Sequence, residues 1–238
     1  MDRCLFLSFA HPDDESFLTA GTAARYAEAG VKVVLSTATR GEAGKPGDPP
    51  ICTRDELPAV REQELRRAAA ILGIAEVHFL GYIDRRLGDA DPDEAAGRLA
   101  GLLLRHRPQV VVTFDPTGSN GHPDHVAISA LTRRAVDRAR AGGLGEVRLL
   151  YTTPTPPWAM ADPRRHPDVD FLVDIRAFAT RKEEALRAHR TQHLSIDRIF
   201  FADRRASRWA FRYETYQLGA GPGLPDGARP AGDLFLGL

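Results

Sequence analysis

The stretch LSFAHPDDES, Leu7 to Ser16, decides how the rest of the chain reads. It closes a short apolar run, Cys4–Phe9, that passes without a linker into a histidine, a proline and three consecutive carboxylates. An apolar run of this length reads as a buried strand. The crowded charge after it repels itself unless something positive is held there. Further apolar runs follow at Val31–Ser36, Val77–Leu80, Val110–Phe114 and Val147–Tyr151. Between them Phe17–Ala29, Arg54–Leu72, Asp93–Arg105 and Asp124–Arg140 carry apolar residues at helical spacing. Strands that are apolar on both faces, alternating with helices, predict an α/β fold: a Rossmann-like parallel sheet with helices on both faces. We read residues 1–238 as a single domain, with a sixth strand at Phe171–Ile175 and a helix over Arg176–His189. From about Gly219 the glycine- and proline-rich end reads as a loop-rich tail.

Composition narrows the function classes. The 32 basic and 32 acidic residues cancel, which argues against a nucleic-acid binder, whose affinity rests on a basic surface. The arginine-rich stretch Asp203–Arg212 therefore reads as a solvated face. Two cysteines, Cys4 and Cys52, make no disulfide framework and fit a reducing compartment. No run approaches the roughly 20 apolar residues of a membrane helix. The first apolar run is also too short for a signal peptide. The expectation is a cytoplasmic protein without membrane insertion, working on a small molecule. Two loops rich in proline or glycine, Gly41–Thr53 and Thr152–Val169, are candidate walls of a cleft.

Chemistry concentrates in two clusters: His11-Pro12-Asp13-Asp14-Glu15 after the first strand, and His122-Pro123-Asp124-His125 after the fourth. Each cluster opens a helix. Taken singly, each is explained by capping alone, with proline at the first helical position and carboxylates favourable against the helix dipole. In the strand order 3-2-1-4-5, however, strands one and four are neighbours at the switch point where α/β proteins bind ligands. Capping does not require imidazoles and carboxylates at both of those ends. The donor set contains no cysteine and suits zinc held by three N/O ligands with one position open, while admitting iron(II). His11 and Asp14, three apart, can reach one ion, and His125 supplies a third ligand. Asp13 and His122 remain to move protons. The isolated His78 and His106 read as structural.

AHPDDE (Ala10–Glu15) and GHPDH (Gly121–His125) resemble the motifs of the PIG-L/LmbE-like zinc-dependent N-deacetylases. TRGE (Thr39–Glu42), the stretch from Arg61 to Gly73, LGYID (Leu80–Asp84) and AHRTQ (Ala188–Gln192) extend the likeness in order. The resemblance implies His11, Asp14 and His125 as metal ligands and Asp13 as general base. It makes His122 the group that stabilises the intermediate or protonates the leaving amine, with Asp124 orienting it, and Arg61 and Asp84 substrate contacts. Asn120 stands where some relatives carry a catalytic tyrosine.

The implied activity is removal of acetyl from an N-acetylated amino sugar or its conjugate. The alternative is amidase action on a larger sugar–thiol or lipid-linked glycan conjugate. A nucleotide-binding module ranks lower, because the first strand leads into AHPDDE and not G-x-G-x-x-G. So does a non-catalytic sugar binder, which has no use for Asp13 and His122. The sequence leaves the oligomeric state open, a homo-oligomer included.

Overall fold

The computed structural model describes residues 3–202 and 208–238. Its strands are β1 (Cys4–Phe9), β2 (Lys32–Thr37), β3 (Glu76–Phe79), β4 (Val110–Thr113), β5 (Arg148–Thr152), β6 (Phe171–Asp174) and β7 (Tyr213–Ala220). They form one seven-stranded sheet in the order β3-β2-β1-β4-β5-β7-β6. The α-helices are α1 (Asp14–Leu18), α2 (Ala20–Glu28), α3 (Leu57–Leu72), α4 (Pro92–His106), α5 (Gly118–Gly121), α6 (Pro123–Ala141), α7 (Ala179–Ala188) and α8 (His193–Ile196). β1 is wholly buried and pairs in parallel with β2 on one side and β4 on the other. Val33, Val34, Leu35, Val110, Val111 and Val112 are likewise fully buried. A strand covered by helices on both faces keeps no polar side, which is why these runs are continuously apolar.

One half of the sheet differs from the expectation. β7 runs antiparallel between β5 and β6 and makes this end of the sheet mixed. Its sequence, YETYQLGA, has few aliphatic residues and carries a glycine next to its end, so composition gave no sign of an interior strand. Gly219 and Ala220, read as the start of the tail, complete this strand. The chain after β7 has little regular structure but is pinned down. Buried Arg148 of β5 donates to the carbonyls of Pro222, Gly223, Leu234 and Leu236. Leu234 and Phe235 are buried.

The expected helix Phe17–Ala29 is two helices, broken at Thr19. Glu214 of β7 accepts from Gly21 N at 3.0 Å and Thr22 N at 2.7 Å, so a carboxylate caps the start of α2. Lys182 Nζ, buried in α7, neutralises it at 2.7 Å. Residues 203–207 of the arginine-rich stretch lie outside the described residues; Trp209 beyond them is buried. Among the described residues, no helix is long and apolar enough to cross a membrane. Cys4 and Cys52 are unpaired.

Candidate metal centre

β1 and β4 are adjacent, so the loops leaving their carboxyl ends share one crevice. The first turn after β1 brings His11, Asp13 and Asp14 there. Asp13 sits at φ 116°, a left-handed conformation that a non-glycine residue adopts at a cost of about 1–3 kcal/mol. Its amide is held by Glu15 Oε2 at 3.1 Å. The loop after β4 is shaped by Asp115, whose carboxylate accepts from Thr117 N and Ser119 N, each at 2.8 Å. Gly118 then takes φ +72°, and a Cβ there would lie 2.9 Å from the Cβ of His125. Only glycine lets this loop press against the histidine.

Donor atoms of three residues face one another. His11 Nδ1 is 3.2 Å from His125 Nε2 and 3.6 Å from Asp14 Oδ2, and His125 Nε2 is 3.4 Å from Asp14 Oδ1. Ligands of a tetrahedral ion with bonds of about 2.0–2.2 Å stand about 3.4 Å apart. The outer nitrogens of both rings are already engaged. His125 Nδ1 donates to Gly118 O at 3.2 Å, and the His125 ring stacks on Phe114 with centroids 3.9 Å apart. His11 Nε2 lies 3.1 Å from both Asp84 Oδ1 and Asp124 Oδ2. With the proton of each ring fixed on its outer side, the inner lone pairs converge on one point, the pattern seen behind metal-bound histidines. The residues fit a divalent ion.

Two other groupings are close enough to compete: His11 with His122 and His125, and His11 with Asp84 and Asp124. In the second, Asp124 is fully buried and does not border the cleft, and both its oxygens already accept amides, from Arg85 at 2.6 Å and Leu87 at 3.2 Å. In the first, His122 gives its Nδ1 to the Asp124 amide at 3.2 Å. In the set of His11, Asp14 and His125, Asp14 Oδ2 accepts from the amides of His11 at 2.8 Å and Ala10 at 3.2 Å, which leaves Oδ1, 3.4 Å from His125 Nε2, to face an ion.

Electrostatics point the same way. Burial disfavours charge on His11, but the Asp124, Asp14 and Asp84 carboxylates outweigh it and raise its pKa well above the ordinary value. Burial also opposes ionisation of Asp14, yet the His125 and His11 rings hold it well below the usual carboxylate range. A pocket that favours a proton this strongly favours a metal cation for the same reason. Asp13 is different. Burial pushes it up, Arg61 pulls it down and Asp14 pushes it up again, leaving it at about 6. His122 is lowered by burial and by the neighbouring His11 and His125.

Around these groups lies a cleft of about 430 Å³, within the range of small-molecule sites. Ala43 and Gly44 come from one expected wall loop, Pro156 and Trp158 from the other. Gln192, Ser195, Arg198 and Ile199 close the side formed by the chain after α7.

Arg61 borders the cleft but is almost fully buried. It donates to Pro12 O and, at 3.0 Å, to Gly41 O, and its Nη2 is 3.3 Å from Asp13 Oδ2. Any side chain at Gly41 would overlap that guanidinium. Glu64, three residues further along the same helix, binds Thr191 and not Arg61. Asp84 also turns inward, accepting from Ala43 N at 3.1 Å besides facing His11. The Asp124 carboxylate meets His11 and not His122, which it touches only through its backbone amide. Asn120 lines the cleft and its Oδ1 accepts from His122 N.

Sequence reasoning gave no role to Glu15 and favoured none in catalysis for His189; the two form a fully buried pair at 2.8 Å, and Glu15 also holds the Asp13 amide. The AHRTQ motif was the available signal, without geometry to place it.

The GlcNAc-PI de-N-acetylase (PIG-L) family matches residues 6–136, more than half of the chain. A 1D-myo-inositol 2-acetamido-2-deoxy-alpha-D-glucopyranoside deacetylase of Acidothermus cellulolyticus is 36% identical, covering 100% of this chain and 96% of its own. The chain belongs to the PIG-L family. As a PIG-L member it is an N-deacetylase. A deacetylase of the same description from Geodermatophilus obscurus is also 36% identical over 99% of this chain and 98% of its own. Among solved PIG-L-like folds, a conserved protein of Thermus thermophilus superposes with TM-score 0.70 at 29% identity, over 96% of this chain and 100% of that one. The N,N'-diacetylchitobiose deacetylase of Pyrococcus horikoshii gives TM-score 0.69 at 20% identity, over 91% and 83%, a likeness of fold.

Proposed function

We propose that this N-deacetylase removes acetyl from the 2-acetamido-2-deoxyglucose unit of a small glycoside, with an inositol glycoside as the first candidate, and works in the cytoplasm with zinc. The observation that carries the reading is the convergence of His11 Nδ1, His125 Nε2 and Asp14 at 3.2–3.6 Å beside the cleft. The glycoside is suggested by the deacetylases that this chain matches over nearly their whole length.

His11, Asp14 and His125 would hold the ion. When bound, it supplies a Lewis acid that polarises the amide carbonyl and makes water a better nucleophile at neutral pH. Asp13 accepts a proton from the attacking water, and its pKa of about 6 suits a base that must both take and return one. Arg61 fixes the direction of the Asp13 carboxylate. His122 acts as a neutral donor: its Nδ1 accepts the Asp124 amide, which leaves the proton on Nε2 to hydrogen-bond the developing oxyanion. The C–N bond then breaks, and Asp13 returns its proton to the leaving nitrogen. The products are acetate and a free amine.

The test is acetate release by the zinc-loaded protein from an N-acetylglucosaminyl inositol, free N-acetylglucosamine and diacetylchitobiose. A kcat/KM highest for the inositol glycoside supports the reading. Acetate from none of them, with cleavage only of a larger sugar–thiol amide, would overturn it in favour of conjugate amidase action.

A further inference from the structure

We propose that Glu76, His78 and His106 form a second divalent-cation site, of a kind that takes zinc, which staples edge strand β3 to the end of α4. Glu76 and His78 are two apart on β3, so the pleat puts both side chains on one face. His106 is the last residue of α4 and arrives from the neighbouring layer. His78 Nε2 is 3.1 Å from His106 Nε2 and 3.5 Å from Glu76 Oε2, and one donor atom from each of the three residues lies within 4.8 Å of the others. These spacings bracket the separation of about 3.4 Å expected between ligands of one tetrahedral ion. Two imidazoles and a carboxylate are a borderline N/O set that suits zinc and leaves a position for water.

The surroundings explain how the site rests without an ion. Lys32 Nζ sits 2.7 Å from Glu76 Oε1 and 3.4 Å from His106 Nδ1, and its side chain is 42% exposed. Its ammonium donates to Nδ1 and so leaves the His106 proton on Nε2, facing His78. An ion must displace this lysine, which is free to swing into water. The His106 proton then moves to Nδ1, which the departed lysine leaves open to water, while a Glu76 oxygen freed from the lysine turns to the ion. Burial lowers the pKa of both imidazoles against the opposing charge of Glu76, with Arg105 and Lys32 on the side of burial, and the neutral form is the one that ligates.

The experiment is a cobalt(II) and zinc titration of the metal-free full chain, with bound ions counted and the melting temperature followed. The wild type should bind two ions, the second raising the melting temperature, because an ligand of the folded state alone stabilises it. His78→Ala/His106→Ala should bind one ion, lose the second rise and keep its deacetylase activity. Lys32→Met should bind the second ion about tenfold more tightly, the scale of removing one competing charge at a solvent-screened site. A wild type that saturates at one ion, or a double variant that still binds two, overturns the proposal. An unchanged second affinity in Lys32→Met overturns it as well, and does not depend on whether the double variant folds. Loss of only the first ion, in Asp14→Asn, would concern the active-site reading alone.

Discussion

Two histidine–carboxylate clusters sit on the same sheet and differ in what stands behind them. At the ends of β1 and β4 the rings of His11 and His125 have their outer nitrogens held by Asp84, Asp124 and the Gly118 carbonyl. At the outer edge of the sheet His78 and His106 face each other directly beside Glu76, and Lys32 holds Glu76 and the outer nitrogen of His106. The donors are alike; their support is not. In the first, carboxylates favour any cation and fix the tautomer before an ion arrives. In the second, an ion must evict a competitor and move a proton. The lesson is that affinity is set by the outer contacts as much as by the ligands.

The comparison breaks first at the ligands. His125→Ala or Asp14→Asn should lose the ion from the central cluster and with it essentially all activity, read by metal content and acetate release. Full occupancy in either variant would remove that residue from the ligand set. Asp13→Asn should be next. It keeps the ion, because its carboxylate is not among the facing donors, yet kcat should fall roughly 10²–10⁴-fold, the scale of general-base catalysis. A near-normal kcat, or loss of the ion, would sink the assignment.

Arg61→Ala should keep the ion and lower kcat about 10–100-fold, the scale of a misplaced catalytic group, with a smaller change in KM. A rise in KM at constant kcat would return Arg61 to the role of substrate contact that the resemblance implied. Asp124→Asn sharpens the contrast between the clusters directly. With a neutral amide behind His11, metal affinity should weaken about 10–100-fold, measured by competition with a chelator. No change would mean that Asp124 serves only the Arg85 and Leu87 amides. The smallest effect belongs to the outer cluster: His78→Ala alone should leave kcat and KM as they are.

Much of this was legible in the chain. β1 begins and ends where its apolar run does, and β2 to β6 fall within one residue of theirs. The helices α3, α4 and α6 shift by at most three residues, while the one after the first motif divides into α1 and α2. Both proline-bearing loops reach the cleft, through Ala43 and Gly44 and through Pro156 and Trp158. What composition hid was β7, whose polar sequence becomes a strand only because β5 and β6 offer it two edges.

The sequence by itself determined the alternation of buried strands and helices, and the placing of two acidic histidine motifs at strand ends. Period, capping and charge are local properties, and a single chain displays them. Only the tertiary structure decided what each carboxylate faces. Asp84 and Asp124 turn toward His11, Arg61 toward Asp13, and Glu15 toward a histidine 174 positions away. Those directions follow from which loops the sheet order brings together and from the need of every buried polar group for a partner. That balance is struck over the whole fold and is written in no single segment.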